Sequence, residues 1–220
     1  NTNISGTGLS SICKSTSLRE LFLIGTPIVD EDLKSVSKML QLQTLRLGET
    51  RIKGSGLKYL KPLQNLDELD LSKTDIRDEA LLNLEGMKGL RTLRLDQTAI
   101  TDRGLSYLAA VPTLQRLALN QTKATISGLK PLKHLEDITR LSISNPEPLT
   151  DDDVQTLKPF YYLETLSIHE TSFTPEILES LAALPYMEFL SFVKPKKRIP
   201  TDQLREIEAR HPNVKIWFVD

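Results

Sequence analysis

The sequence predicts an α/β solenoid, a stack of strand-and-helix units sharing one long core. Three observations predict it. Leucine or a substitute returns at Leu18, Leu42, Leu66, Leu90, Leu114, Ile138, Leu163 and Met187, a period of 24 residues that slips by one after Ile143. Each return opens the same phrase, L-x-x-L-x-L-x-x-T-x-I. Within a period the apolar spacing changes from two to three residues, the change from strand to helix. A fixed period of this length means one supersecondary unit copied and stacked.

The unit from Leu66 to Gly89 shows how this works. Leu69 and Leu71 flank Asp70, the alternation of a short strand with one buried face. From Asp78 onward Leu81, Leu84 and Met87 recur at helical spacing, behind an acidic first turn that suits a helix N-terminus. Strand, turn, short helix and return loop follow in order. One unit cannot bury both its apolar faces, so its neighbours complete the core and equivalent strands align in parallel. Strands sit about 4.8 Å apart, whereas packed helices need roughly 8–10 Å, and the mismatch bends the stack.

With Thr101, Asp102, Gly104 and Leu105 continuing the phrase as T-D-x-G-L, the chain resembles the leucine-rich repeat in its bacterial and cysteine-containing types. The resemblance implies a right-handed horseshoe, with a parallel β-sheet on the concave face and short helices on the convex face. It also implies a binding function and assigns no catalytic residue. Where the family carries Asn or Cys, this chain has Thr26, Thr50, Thr74, Thr98, Thr122 and Thr171. These threonines are expected to form a buried ladder whose hydroxyls bond loop backbone.

The repeats divide the chain into a partial N-terminal repeat over 1–17, seven repeats over 18–186, and a last strand with its cap over 187–220. Thr2, Ile4 and Leu9 match Thr26, Ile28 and Leu33, so the chain opens in mid-repeat, as expected of a longer protein. At the other end Thr201 is expected to cap a helix reaching Arg210. Val214 and Ile216 then stand 24 residues after Leu190 and Phe192, predicting a ninth strand. Such a cover is needed because an open stack exposes apolar core.

Outward-facing strand positions line the concave face. The central series is Phe22, Arg46, Asp70, Arg94, Ala118, Ser142, Ser167 and Ser191. The series two residues earlier is Glu20, Thr44, Glu68, Thr92, Arg116, Arg140, Thr165 and Phe189. Together the strands span roughly 34 Å, enough for a protein epitope. In the first half Arg46, Asp70 and Arg94 alternate in sign, either satisfying one another or forming a partner-binding strip. In the second half small residues form a sunken floor flanked by Arg116, Arg140, His169 and Phe189, the last of which is alternatively covered by the C-terminal cap. Arginine and aromatics beside such a recess favour an anchoring side chain. The candidate partner-binding residues are therefore Arg46, Asp70, Arg94, Arg116, Arg140, Ser142, Ser167, His169 and Phe189.

Other features have competing readings. The slip over Asn145–Asp153 is a bulged functional loop or a tolerated insertion. Thr150 with Asp151, Asp152 and Asp153 is a helix cap or a calcium loop, and the EF-hand glycine and glutamate are missing. The basic run Lys194–Arg198 contacts an acidic partner, serves as a nuclear signal, or is a solvated loop. Tyr161 and Tyr162 are adjacent, so one of them is expected at the surface.

Catalytic signatures are absent. His134, His169 and His211 occupy unrelated repeat positions, and neither a nucleophile elbow, a P-loop nor a dinucleotide fingerprint occurs. Asn3 and Asn120 lie in glycosylation sequons at chance frequency. Cys13 is the only cysteine, which excludes an internal disulfide framework. A net charge of −1 argues against nucleic acid and anionic membrane surfaces, and no apolar run approaches a membrane span. The expectation is a non-catalytic scaffold with no cofactor and no metal, binding a protein or peptide ligand. The alternatives are the recognition portion of a larger receptor or ubiquitin-ligase-type protein, or a structural surface protein.

Overall fold

A computed structural model describes residues 6–13, 15 and 17–220 of the chain. Thr2, Ile4 and the Asn3 sequon lie outside the described residues. Nine strands form one parallel sheet in chain order. They are β1 (Glu20–Phe22), β2 (Thr44–Arg46), β3 (Glu68–Asp70), β4 (Thr92–Arg94), β5 (Arg116–Leu119), β6 (Arg140–Ser144), β7 (Thr165–His169), β8 (Phe189–Val193) and β9 (Lys215–Val219). The 24-residue period becomes strand register: Leu45 is level with Leu69, and Leu69 with Leu93. This is a leucine-rich-repeat solenoid with the sheet on one side and short helical segments on the other.

The strand leucines and the helical leucines meet in the core as their spacing requires. Leu69, Leu71, Ile76, Leu81 and Leu84 are all fully buried, and equivalent residues of the neighbouring repeats continue the layer. Truncating one such leucine to alanine costs about 2–5 kcal/mol.

The convex segments are not uniform. Those over Asp30–Asp32, Ser55–Leu60, Asp78–Leu84 and Ser127–Leu132 are 3₁₀ helices. Asp102–Leu108, Asp151–Leu157 and Pro175–Ala182 are α-helical. Within these segments the side-chain cap accompanies the α-helical ones. Thr101, Thr150 and Thr174 each accept a backbone N–H of the first turn of an α-helix. Val29, Gly54, Arg77 and Ile126, which precede the 3₁₀ segments, supply no side-chain cap. A satisfied N-terminal amide favours the wider turn without being required for it, since Leu33–Val36 and Thr201–Arg210 are α-helical with no side-chain cap.

Neighbouring repeats are joined by a seam on this side. Asp78 accepts the Thr101 amide at 2.8 Å and its hydroxyl at 2.7 Å. Asp102 accepts the Thr125 amide at 2.7 Å and its hydroxyl at 3.0 Å. Asp30 takes the amides of Lys53, Gly54 and Gly56 between 2.7 and 2.9 Å. The seam needs space. A Cβ on Gly104 would stand 2.4 Å from Asp78 Oδ1, and one on Gly128 would stand 2.1 Å from Asp102 Oδ1. One seam is built in reverse. Gly54 replaces the aspartate, and Ala80 of the next repeat fills the gap, its Cβ only 2.2 Å from where a Gly54 Cβ would be.

The threonine ladder is present. Thr26, Thr50, Thr74, Thr98 and Thr122 donate their hydroxyls to the carbonyl three residues earlier at 2.5–2.8 Å. Most lie directly after a residue with positive φ, such as Lys73 or Gln97, so each hydroxyl ties off a turn at a strand end. Thr171 departs from the rule and bonds Glu147 O, one repeat back, at 2.9 Å. That bond pins the slipped loop, where Asn145 is buried and its amide side chain also donates to Glu147 O. Thr150 and Asp153 form a reciprocal capping box, and Asp152 pairs with Lys130 at 2.8 Å.

The C-terminal cover requires two corrections. β9 does pair with β8 in parallel, but Leu190 is level with Ile216 and Phe192 with Phe218, a spacing of 26 residues instead of 24. The ten-residue helix Thr201–Arg210 and the turn after it take up more chain than an ordinary convex segment. A shift of two preserves the alternation of faces, so Ile216 still points inward and is buried. Phe218 then stacks over Phe192 with ring centroids 5.7 Å apart, and Phe192 over Phe173 at 4.0 Å. The second correction concerns the cap of this helix. Pro200 occupies the capping position and Thr201 is the first helical residue, without a side-chain cap.

Candidate functional site: the concave face

The candidate residues fall into two groups on the concave face. On β2–β4 the charges are matched, although not in the expected pairs. Asp70 is buried and its Oδ1 accepts the Ser72 amide at 2.9 Å. Its carboxylate is short enough to fold back onto the backbone two residues on. The partner of the arginines is Glu68, the longer acid on the same face of β3. Arg46 Nε lies 3.0 Å from Glu68 Oε1, and Arg94 Nε lies 4.0 Å from the same oxygen. Arg46 also stands over the Phe22 ring, 4.9 Å from its centroid.

On β5–β6 the matching stops. Arg116 and Arg140 are level neighbours in the sheet, both exposed, and neither side chain has an ion-pair or hydrogen-bond partner among the described residues. Like charges side by side repel by on the order of 1 kcal/mol even at the dielectric of water. Beside them the sheet sinks into a recess of about 320 Å³ whose lining includes Thr92, Arg94, Asp96, Ala118, Asn120, Ser142, Thr165 and Ser167. Ala118 and Ser142 supply the shallow floor. Ser142 donates to Asn120 Oδ1 at 2.7 Å, and Asp96 Oδ1 accepts the Asn120 amide at 2.8 Å. Thr92 is buried, and its hydroxyl has no hydrogen-bond partner.

His169 and Phe189 lie outside the lining of this recess. His169 sits at the end of β7, where Nε2 is 3.3 Å from Ser167 Oγ. Burial lowers its pKa from the ordinary histidine value, against the opposing pull of Asp96 and Glu170. Phe189 is engaged by the terminal strand. The Trp217 ring meets it edge-on at 5.9 Å, and Lys215 Nζ lies 5.3 Å from its centroid. The sequence series missed Asp96 and Asn120 because they lie one outward position beyond the central row, at the strand ends. Extending each row by two residues finds them.

Elsewhere, Tyr161, Tyr162 and Tyr186 cluster with ring centroids 5.1–5.2 Å apart, and all three are exposed. Two adjacent tyrosines thus reach the surface where one was expected. Among the described residues no group of His, Cys, Asp and Glu could hold a metal ion, and no helix is long and apolar enough to cross a membrane.

A profile of the leucine-rich repeat matches residues 63–84 and 90–109. No curated protein matches the chain by sequence. Solved structures match its fold. Internalin C2 of Listeria monocytogenes is similar with a TM-score of 0.67 and 22% identity, over 98% of this chain and 84% of that one. A leucine-rich-repeat protein of Leptospira interrogans has a TM-score of 0.67 and 25% identity, over 94% of this chain and 50% of that one. An internalin (inlF) of Listeria monocytogenes has a TM-score of 0.60 and 20% identity, over 98% of this chain and 69% of that one. The chain thus spans half the length of the Leptospira protein.

Proposed function

We propose that this leucine-rich-repeat solenoid is a non-catalytic binding module holding a protein or peptide partner against its concave face. The supporting observation is the pair Arg116 and Arg140, level neighbours whose side chains have no ion-pair partner among the described residues, beside a recess in the sheet. A fold held by a leucine core and threonine hydrogen bonds gains nothing from two adjacent unpaired cations. Groups that cost stability and fill no structural role are the ones a partner uses. The centre of the site is Arg94, Arg116, Arg140, Ser142 and Ser167, with Arg46 and Asp70 on one flank and His169 and Phe189 on the other. The same reading holds if the chain is the recognition part of a longer receptor or ligase-type protein.

The test is affinity capture with three forms of the chain: unaltered, Arg116→Ala/Arg140→Ala, and Lys58→Ala/Glu79→Ala on the convex side. Partners should be retained by the convex variant and lost by the concave one. Equal capture by both variants would exclude the concave face.

A further inference from the structure

We infer that the recess on β4–β7 receives a carboxylate side chain from an acidic segment of the partner protein, an inference that rests on the concave-face reading above. The argument is charge complementarity at unsatisfied groups. Arg116 and Arg140 project from level positions of adjacent strands with no acid to neutralise them. Arg94 is only loosely held, 4.0 Å from a Glu68 that is already bonded to Arg46 at 3.0 Å. Guanidinium groups present planar, paired donors that match a carboxylate in two-pronged fashion. Beside them, the buried Thr92 hydroxyl lacks any partner, which costs stability unless a ligand atom supplies one.

The recess also has a polarity. Arg116 and Arg140 stand at the strand beginnings, whereas Asp96, the acid in its lining, stands at the opposite margin, level with Asn120. About four residues of strand, on the order of 13 Å, separate the two rows. An acid therefore enters at the arginine end. The far end accepts a donor, an amide or a lysine, toward Asp96. This orients an extended peptide along the strands, and it disfavours polyanions carrying charge throughout.

The inference is tested by fluorescence anisotropy on the chain at low and physiological salt. The probes are a fluorescein-labelled Gly-Glu-Gly-Gly-Gly-Lys-Gly peptide, the same peptide with glutamine in place of glutamate, and a labelled oligothymidylate. The glutamate peptide should bind and the glutamine peptide should not. Arg116→Ala/Arg140→Ala should weaken the glutamate peptide by about tenfold or more. Thr92→Val should weaken it by about threefold without altering the salt dependence. Circular dichroism melts should show each variant folded. Equal binding of both peptides, tighter binding of the oligothymidylate, or indifference to the arginine substitutions would overturn the carboxylate assignment. If capture of a natural partner still depends on the concave arginines while the glutamate peptide fails, the binding-face reading stands and only the acid is wrong.

Discussion

The two sides of the solenoid treat charge differently. Along the convex seam Asp30, Asp78 and Asp102 each accept two or three donors from the next repeat, at close range and in partly buried positions. On the concave side Arg116 and Arg140 stand adjacent and unmatched, a few strands from an Arg46 that is matched. Both groups recur at repeat positions, so periodicity alone does not separate them. Partnering does. A charge with donors around it holds repeats together, and a charge with none is available to another molecule.

The seam is the place where this contrast breaks most easily. Gly128→Ala puts a methyl group 2.1 Å from Asp102 Oδ1, so the carboxylate must leave the Thr125 amide and hydroxyl it now accepts. Overpacking and the lost hydrogen bonds together should cost on the order of 3 kcal/mol. Urea unfolding monitored by circular dichroism measures it. A cost below about 0.5 kcal/mol would mean that the repeats slide past the methyl group and that the seam is loose.

The ladder gives a smaller effect. Thr98→Val keeps the shape of the buried side chain and removes the 2.6 Å hydrogen bond to Leu95 O. The stranded carbonyl should make this cost about 1–2 kcal/mol, read as a lower midpoint with an unchanged slope. Thr171→Val tests the slipped loop in the same way, since its hydroxyl reaches Glu147 O of the preceding repeat.

Much of this architecture was legible in the sequence because stacking converts period directly into register. Leu45, Leu69 and Leu93 had to be level once their spacing was 24. Legibility failed where the chain length between strands changed. Ile216 aligns with Leu190 because the terminal helix is longer, and nothing in the apolar pattern fixes how much chain a cap consumes. It failed again where two side chains compete for one partner. Asp70 and Glu68 share a face of β3, and only geometry shows that the shorter acid turns to Ser72 while the longer one meets Arg46. Phe189 had two readings, a flank of the recess or a residue covered by the cap, and only geometry shows that Trp217 and Lys215 of the added strand reach it. The small-residue floor at Ala118 and Ser142 was readable. The missing partners of Arg116, Arg140 and Thr92 were not, because absence of a contact is a property of three dimensions.

The smallest expected effect on stability is the one that sharpens the comparison most. Arg46→Ala removes an ion pair with Glu68 and the stacking over Phe22, both at the surface, and should cost between about 0 and 1 kcal/mol. Arg116→Ala removes a side chain that has no partner and relieves its repulsion from Arg140, so stability should be unchanged or slightly raised. Raising the salt concentration separates the two further. Screening weakens the Arg46 pair and weakens the Arg116–Arg140 repulsion, so the unaltered chain loses one contribution and recovers the other. The Arg46→Ala deficit should therefore shrink with salt, and any Arg116→Ala gain should shrink as well. A clear loss of stability in Arg116→Ala would show that this arginine packs against the sheet as scaffold, and it would move Arg116 to the same side of the comparison as Arg46.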